Sequence, residues 1–491
     1  MTAVSIALTI FVIIMIFNTV GAIVTVFHRP RNIASTLAWL MVLILLPVVG
    51  FLLYAFLGRG LAQEKIFDIS HGEHIGLQHL KQMILTDDKA DPDNERSDHT
   101  TTHTARQLIR YFVNAQDAPL TKRNFVQVYT DGQAQIQAIF QDIRAAKETV
   151  HVEYYAFFND NIGNQFLDLL TEKAKEGLEV RLIYDPWGSP HTSRRWFRDY
   201  EAAGGQVVPF ITAQNVVAKT RLNYHLHRKI VVIDGRIGYT GGFNVGDQYV
   251  EPTKKFGYWR DTQIRLEGTA VLSLQERFAM DWNASVGRNG ELITFQPKYF
   301  RHPDPKLDGH ANIQLVSDGP DSTAQILKGG MMRMIMLAEK SVWIQTPYLI
   351  PDDSMIDTLM VAAASGVDVR IMIPNKPDHP FIYRATQYYA NLLTLTGVKI
   401  YIYDKGFIHA KTAVMDNKVV TVGSMNQDIR SYALNFEANC FIYDSRVSQQ
   451  FTDIFNADIK DSTLLTRQAI AKQSRWLRFK QYFSRLLSPI L

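Results

Sequence analysis

Two long apolar runs open the chain. No charged side chain occurs between Met1 and Phe27 or between Ile33 and Leu57, and only His28-Arg29-Pro30-Arg31-Asn32 separates them. Each run exceeds the roughly 20 apolar residues that span the hydrocarbon layer. The pattern therefore predicts a transmembrane hairpin over 1–60, with spans at about 3–27 and 33–57. Trp39 and Tyr54 stand near the ends of the second span, where amphipathic rings favour the interface, and membrane helices tolerate residues such as Pro47 and Gly50. A cleaved signal peptide would need a basic start and no second span directly behind it. Arg29 and Arg31 in the turn are balanced by Arg59 and Lys65 beyond the second run, so basic charge sets no orientation. Residues 61–123 then read as a connecting segment, with a polar, acidic, proline-bearing linker at 86–98.

From about Asn124 the periodicity becomes that of alternating strands and helices, the pattern of an α/β fold, and it occurs twice. Ala146-Lys147-Glu148-Thr149-Val150-His151-Val152-Glu153 is echoed by Ala338-Glu339-Lys340-Ser341-Val342-Trp343-Ile344-Gln345. Gly177-Leu178-Glu179-Val180-Arg181-Leu182-Ile183 is echoed by Gly366-Val367-Asp368-Val369-Arg370-Ile371-Met372; in both, a glycine closes a helix and a buried strand begins. The duplication predicts two similar α/β lobes, 124–305 and 306–460, related by a pseudo-twofold axis, with a cleft where they meet. The last segment, 461–491, mixes Lys472, Arg475, Arg478, Lys480 and Arg485 with Trp476, Leu477, Phe479, Tyr482, Phe483, Leu486 and Leu487. It reads either as a basic amphipathic helix lying on anionic lipid or as a terminal helix docked on the core.

Composition narrows the function little. A length of 491 residues suits a fused pair of halves, and a net charge of +4 is too small to announce a nucleic-acid partner. The single cysteine, Cys440, excludes an intramolecular disulfide and any zinc framework built on cysteine pairs.

The chemistry lies in a repeated constellation. The first lobe holds His227, Lys229 and Asp234, then Gly241-Gly242-Phe243-Asn244; the second holds His409, Lys411 and Asp416, then Gly423-Ser424-Met425-Asn426. The offsets agree: two from His to Lys, five to Asp, seven to the first Gly and three to Asn. One His-x-Lys-x4-Asp match is expected by chance in roughly one such chain in thirty. Two at matching places in a repeat are not chance. In an extended segment, residues two apart face the same way, so each lobe presents an imidazole beside an ammonium. Two such lobes facing one pocket suit attack on a phosphodiester. One imidazole is the nucleophile, the other protonates the leaving alkoxide and deprotonates the incoming alcohol, and the lysines stabilise charge on phosphorus. Asn244, Ser424 and Asn426 are expected to donate to the same oxygens. Near the first motif, His225-Leu226-His227 lacks a third ligand for a metal, and His225 is read as a wall residue.

The duplicated motif resembles the phospholipase D superfamily from about residue 124 to 460. That resemblance implies a covalent phosphohistidine, one active site shared by both halves, attack by the N-terminal histidine, and no metal or other cofactor. It also implies an acidic residue downstream of each motif that orients the imidazole: Asp261 in Trp259-Arg260-Asp261-Thr262 and Glu437 in Asn435-Phe436-Glu437. Asp234 and Asp416, though part of the catalytic motif, are then expected to fix the fold around the lysines. Softer signals are similar to the bacterial cardiolipin synthases. They are Ser35 to Trp39, Tyr154-Tyr155, Tyr184-Asp185, Gly188-Ser189, Gln345-Thr346-Pro347-Tyr348 and Leu486-Leu487-Ser488-Pro489. The implied substrate is phosphatidylglycerol at an anionic membrane, in the bacterial cell membrane. The motif does not separate water from an alcohol as acceptor, so a phospholipase, another phosphatidyltransferase or an inactive membrane scaffold stand as alternatives.

Overall fold

The computed structural model describes residues 3–28, 33–46, 49–50, 103–116, 118–190, 192–210, 224–286, 290–322, 324–486 and 488. The expected acidic linker at 86–98 lies outside the described residues. The chain divides into two compact units, the first holding the N-terminal helices and the second the sheet.

In the first unit a helix runs Ala3–His28 and packs against a second, Ile33–Leu45. The second helix is 13 residues long, about 20 Å at the usual rise and short of the roughly 30 Å of a hydrocarbon layer. Leu46, ahead of Pro47, forms a bend, but its N–H still donates to the Val42 carbonyl at 3.0 Å, the Gly50 N–H donates to the Leu46 carbonyl at 2.5 Å, and residues 49–50 are helical again. Residues 47–48 and 51–57 of the expected span lie outside the described residues. Counted over the described residues, no helix is long and apolar enough to cross a membrane.

The second unit is built on one sheet, sixteen-stranded among the described residues. The first half supplies β1 (Thr121–Tyr129), β2 (Thr149–Tyr154), β3 (Glu179–Tyr184), β4 (Gln206–Pro209), β5 (His225–Leu226), β6 (Lys229–Ile233), β7 (Ile237–Gly241), β8 (Tyr258–Arg260) and β9 (Gln263–Glu267). The second supplies β10 (Ala311–Asp318), β11 (Ser341–Gln345), β12 (Leu349–Ile350), β13 (Asp368–Pro374), β14 (Lys399–Tyr403), β15 (Gly406–Ile408), β16 (Thr412–Met415), β17 (Val419–Gly423), β18 (Gln427–Asp428), β19 (Asn435–Tyr443) and β20 (Ser462–Leu464). Of these twenty strands, β8 with β15 and β12 with β18 form two separate two-stranded sheets, and antiparallel pairing of β1 with β10 forms the seam of the large one. Outward from it, β9, β7, β6, β2, β3 and β4 correspond to β19, β17, β16, β11, β13 and β14. The inner strand β2 is buried along its whole length because both faces are covered. Val150 and Val152 pack with Ile139 and Phe166. His151, on the other face, stacks on Phe278 at 4.6 Å.

Both ends of the expected connecting and terminal segments turn out to be structural. The helix His103–Gln116 buries Ala105, Leu108 and Phe112 in the core of the second half, although it precedes the first. Its close approach to the helix Ile326–Leu337 requires Gly330, where a Cβ would lie 2.2 Å from the Phe112 ring. At the other end β20 adds an edge strand beside β14, and the helix Arg475–Leu486 docks on the helix Pro380–Leu395.

Asp234 and Asp416 occupy the tight turns β6–β7 and β16–β17 at φ 51° and 50°, followed by Gly235 and Asn417 at 60° and 56°. Two successive left-handed residues make the hairpin turn that matches strand twist, which favours Asp, Asn and Gly. Each carboxylate also accepts three backbone N–H groups at 2.8–2.9 Å: Lys147, Glu148 and Thr149 for Asp234, and Glu339, Lys340 and Ser341 for Asp416. These acids clip the start of β2 and β11 to the motif hairpins. Asp416→Ala is expected to destabilise the protein by about 3 kcal/mol through left-handed strain and lost charge-assisted hydrogen bonds, and Asp416→Asn by less. Denaturant unfolding of both variants measures this, and an unchanged midpoint for Asp416→Ala would contradict the clip.

Candidate active site

The site depends on two short strands that leave their own halves. β5 pairs parallel with the start of β19, setting His225 opposite Asn435 and Leu226 opposite Phe436. β15 pairs parallel with β8, setting Ile408 opposite Arg260. The main chain continues the exchange, the His227 N–H donating to the Phe436 carbonyl at 2.9 Å and the His409 N–H to the Arg260 carbonyl at 2.7 Å. Each histidine is thereby delivered to the acid of the opposite half, which corrects the expectation that Asp261 and Glu437 each orient the imidazole of their own motif. His227 Nδ1 lies 2.9 Å from both oxygens of Glu437, and His409 Nδ1 lies 2.5 Å from Asp261 Oδ2. With Nδ1–H donating to a carboxylate, Nε2 keeps its lone pair for chemistry. Both imidazoles line one cavity of about 480 Å³, together with Asn244, Asn426, Tyr155 and Trp259.

The lysines lie beneath this surface and do not line the cavity. Lys229 Nζ donates to the His227 carbonyl and Lys411 Nζ to the His409 carbonyl, each at 2.5 Å. Lys411 Nζ also lies 2.8 Å from His409 Nδ1. Burial lowers both ammonium groups, to about 7 for Lys229 and about 8 for Lys411, against the pull of Glu437 and Asp261. Burial likewise lowers both imidazoles to about 4, with the facing carboxylates opposing it and the lysines reinforcing it. Burial alone would raise Asp261 and Glu437, but neighbouring cations and hydrogen bonds outweigh it and hold both below the usual carboxylate range. The empty site therefore carries neutral imidazoles between anionic carboxylates and weakened ammonium groups.

The remaining motif residues divide differently from expectation. Ser424 does not face the cavity with a free donor. Its hydroxyl donates to Glu437 Oε2 at 2.5 Å, because β17 lies beside β19 and the carboxylate is the nearer acceptor. Ser431 at 2.8 Å and Asn435 at 3.3 Å donate to the other oxygen of Glu437. The first half has Gly242 in place of Ser424, where a Cβ would lie 2.0 Å from Asp261 Oδ1, and that oxygen accepts the Thr262 N–H at 2.8 Å instead of a hydroxyl. Asn244 accepts the Ala156 N–H at 3.1 Å and keeps its amide at the cavity wall. Asn426 is fixed through its own N–H, which donates to Ser431 Oγ at 3.1 Å. Asp234 and Asp416 do not line the cavity.

Several neighbours were not legible as site residues. Tyr155 sits edge-on to His227, with ring centroids 5.1 Å apart. Asp185 accepts the Leu226 N–H at 2.8 Å and lies 3.7 Å from His225 Nδ1, which does line the cavity. Arg228, between the motif His and Lys, is buried, paired with both oxygens of Asp281 at 2.8 and 2.7 Å, and donates to the Glu437 carbonyl at 3.2 Å. Asp378, Asp428, Arg430 and Lys255 complete the charged part of the wall. They lie outside the motif spacing, and only the Tyr-rich and Gln-Thr-Pro-Tyr stretches hinted at their surroundings. Among the described residues, no group of three His, Cys, Asp or Glu side chains is placed to hold a metal ion.

In the protein without substrate, imidazole NMR should show His227 and His409 neutral at all pH values above about 5.5, with both midpoints near 4. Midpoints near the ordinary 6.5 would mean that the carboxylates, not burial, dominate.

Comparison with known proteins agrees with this geometry. The cardiolipin synthase, PLD-like domain family matches residues 139–282 and 331–459, and the phospholipase D-nuclease N-terminal family matches 7–59. A cardiolipin synthase of Listeria welshimeri is 46% identical over 98% of both chains. The major cardiolipin synthase ClsA of Bacillus subtilis is 42% identical over 99% of both. The crystal structure of a phosphatidylserine synthase of Haemophilus influenzae, 14% identical, superposes with a TM-score of 0.59 over 78% of this chain and all of its own, which shows a shared fold. With both motifs inside the matched segments and the likeness running nearly end to end, the chain belongs to the cardiolipin synthase family of phospholipase D-like proteins.

Proposed function

We propose that the protein is a phosphatidyltransferase that joins two phosphatidylglycerol molecules into cardiolipin and releases glycerol. The observation that carries this reading is the pair of imidazoles, each backed by the carboxylate of the opposite half, opening into one cavity. His227 Nε2 attacks the donor phosphorus, forming an N–P bond as the glycerol O–P bond breaks, and His409 gives the departing oxygen its proton. His409 is neutral in the empty site, and the anionic diester beside it supplies the charge that favours its protonation. In the second step His409 takes the proton of the acceptor hydroxyl, whose oxygen bonds to phosphorus as the N–P bond breaks. Glu437 and Asp261 hold the Nδ1–H tautomers and stabilise the cationic ring. Asn244 and Asn426 offer amides to the non-bridging oxygens, while Lys229 and Lys411 raise the potential from below. Assignment of the first attack to His227 rests on resemblance to family members in which the N-terminal histidine is the nucleophile.

The substrate is a lipid, and both chain ends fit a lipid surface in the bacterial cell membrane. From Ala3 onward the uncharged stretch lies in a helix that exposes Leu8, Phe11 and Phe17, and the second helix exposes Leu37, Met41 and Leu45. We read this unit as the membrane anchor, with the hairpin as its form. The docked C-terminal helix leaves Trp476, Phe479, Phe483 and Leu486 exposed among basic residues, so docking and an anionic lipid surface are compatible uses of one helix.

Purified protein incubated with phosphatidylglycerol vesicles should yield cardiolipin and glycerol. Phosphatidic acid as the main product would support the hydrolase instead. His227→Ala and His409→Ala should each lower turnover by roughly 10³-fold or more, because both rings serve one site. Near half activity in either variant would mean two independent sites. Activity should survive strong chelation, and quenched turnover should leave a phosphatidyl group on His227. An adduct on His409 would exchange the roles, and inversion of configuration at phosphorus would remove the covalent route.

A further inference from the structure

A transferase of this kind must hold a second lipid whose headgroup carries its own phosphate, and the two motifs account for only one. The attacking and leaving groups of an in-line displacement lie on opposite sides of phosphorus. With His227 as the nucleophile, glycerol departs, and the acceptor hydroxyl enters, on the His409 side. The wall on that side is aromatic. Trp259 packs against His409 with centroids 5.0 Å apart, Phe256 packs against Trp259 at 5.1 Å, and Lys255 Nζ lies 4.5 Å from the Phe256 centroid. All three of these residues line the cavity.

Apart from histidines, the basic side chains on the described cavity wall are Lys255 and Arg430. Arg430 stands two residues from Asp428, and its charge acts on that carboxylate as well as on Tyr155. The wall acids are engaged by the protein itself. Asp378 accepts the Tyr348 hydroxyl, and Asp428 accepts the Ser431 N–H at 2.7 Å as the cap of a short helix. Lys255 is exposed while lining the cavity, so its ammonium group meets an anion without first being desolvated.

We propose that Lys255 binds the phosphate of the acceptor phosphatidylglycerol and so selects a glycerophospholipid over water or free alcohol in the second step. This assignment rests on the transferase reading above. It separates two reactions of the same phosphohistidine. Transfer to free glycerol re-forms phosphatidylglycerol and needs no second phosphate. Transfer to phosphatidylglycerol forms cardiolipin and does. In both, the acceptor O–H proton passes to His409 as the O–P bond forms and the N–P bond breaks.

The test uses the full chain in vesicles of phosphatidylglycerol and phosphatidylcholine with labelled free glycerol. Cardiolipin formation and incorporation of label into phosphatidylglycerol are measured together. Lys255→Ala should lower the ratio of cardiolipin to exchange at least about tenfold, a loss typical of one charged contact. Lys255→Arg should restore most of it, and Lys254→Ala, an equal change of charge on a neighbour that does not line the cavity, should leave the ratio alone. An equal fall of both reactions in Lys255→Ala, an unchanged ratio, or the same loss in Lys254→Ala would overturn the assignment. A wild-type protein that performs neither reaction would overturn the transferase reading, and Lys255 with it.

Discussion

The exchange of β5 and β15 between the halves is the constraint on which the rest depends. A histidine that paired with an acid of its own half would leave two sites facing apart. Because β5 lies on β19 and β15 on β8, each half completes the other, and the two rings are brought to one cavity by backbone hydrogen bonds. Arg228 tightens the arrangement by tying the first motif to the Glu437 carbonyl while its charge is met by Asp281. Removing either partner of such a buried pair leaves an uncompensated charge, so the pair holds geometry more than it adds stability.

Electrostatically, the empty site is incomplete. Two buried ammonium groups with lowered proton affinity face two carboxylates held anionic, and both imidazoles are neutral. A diester anion entering this cavity restores the affinity of the lysines for their protons and raises that of the imidazoles. For His409 that shift favours the proton donor of the proposed reaction, whereas His227 attacks as the neutral ring. The two halves are not equivalent in this respect. Glu437 is held by Ser424, Ser431 and Asn435, whereas Asp261 has the backbone of Thr262 and the neighbouring Lys411.

What the sequence made legible was whatever is local or repeated. The motif spacing and the echoing strands depend on residues close in the chain, and they lie in the structure at corresponding places. The partnership of His227 with Glu437 was hidden, because β5 reaches β19 across 210 residues and no spacing rule encodes that pairing. Ser424 was misread for a related reason: its competing acceptor comes from β19 and not from its own loop. The terminal helix was ambiguous because the same side chains serve a docking face and an exposed one.

The helix His103–Gln116 has a consequence for how the chain reaches this structure. Its apolar stripe emerges from synthesis ahead of the first half, yet the surface that covers it belongs to the second, with Tyr111 and Ile326 215 residues apart. Until that surface exists, Leu108 and Phe112 have no native place to be buried. Closing so long a loop costs entropy that later contacts must offset, and the exposed stripe is open to wrong association in the interval. The strand β1 waits likewise on β10 for its seam. The order of folding therefore differs from the order of synthesis, and the last-made half locks the first segment of the sheet-bearing unit.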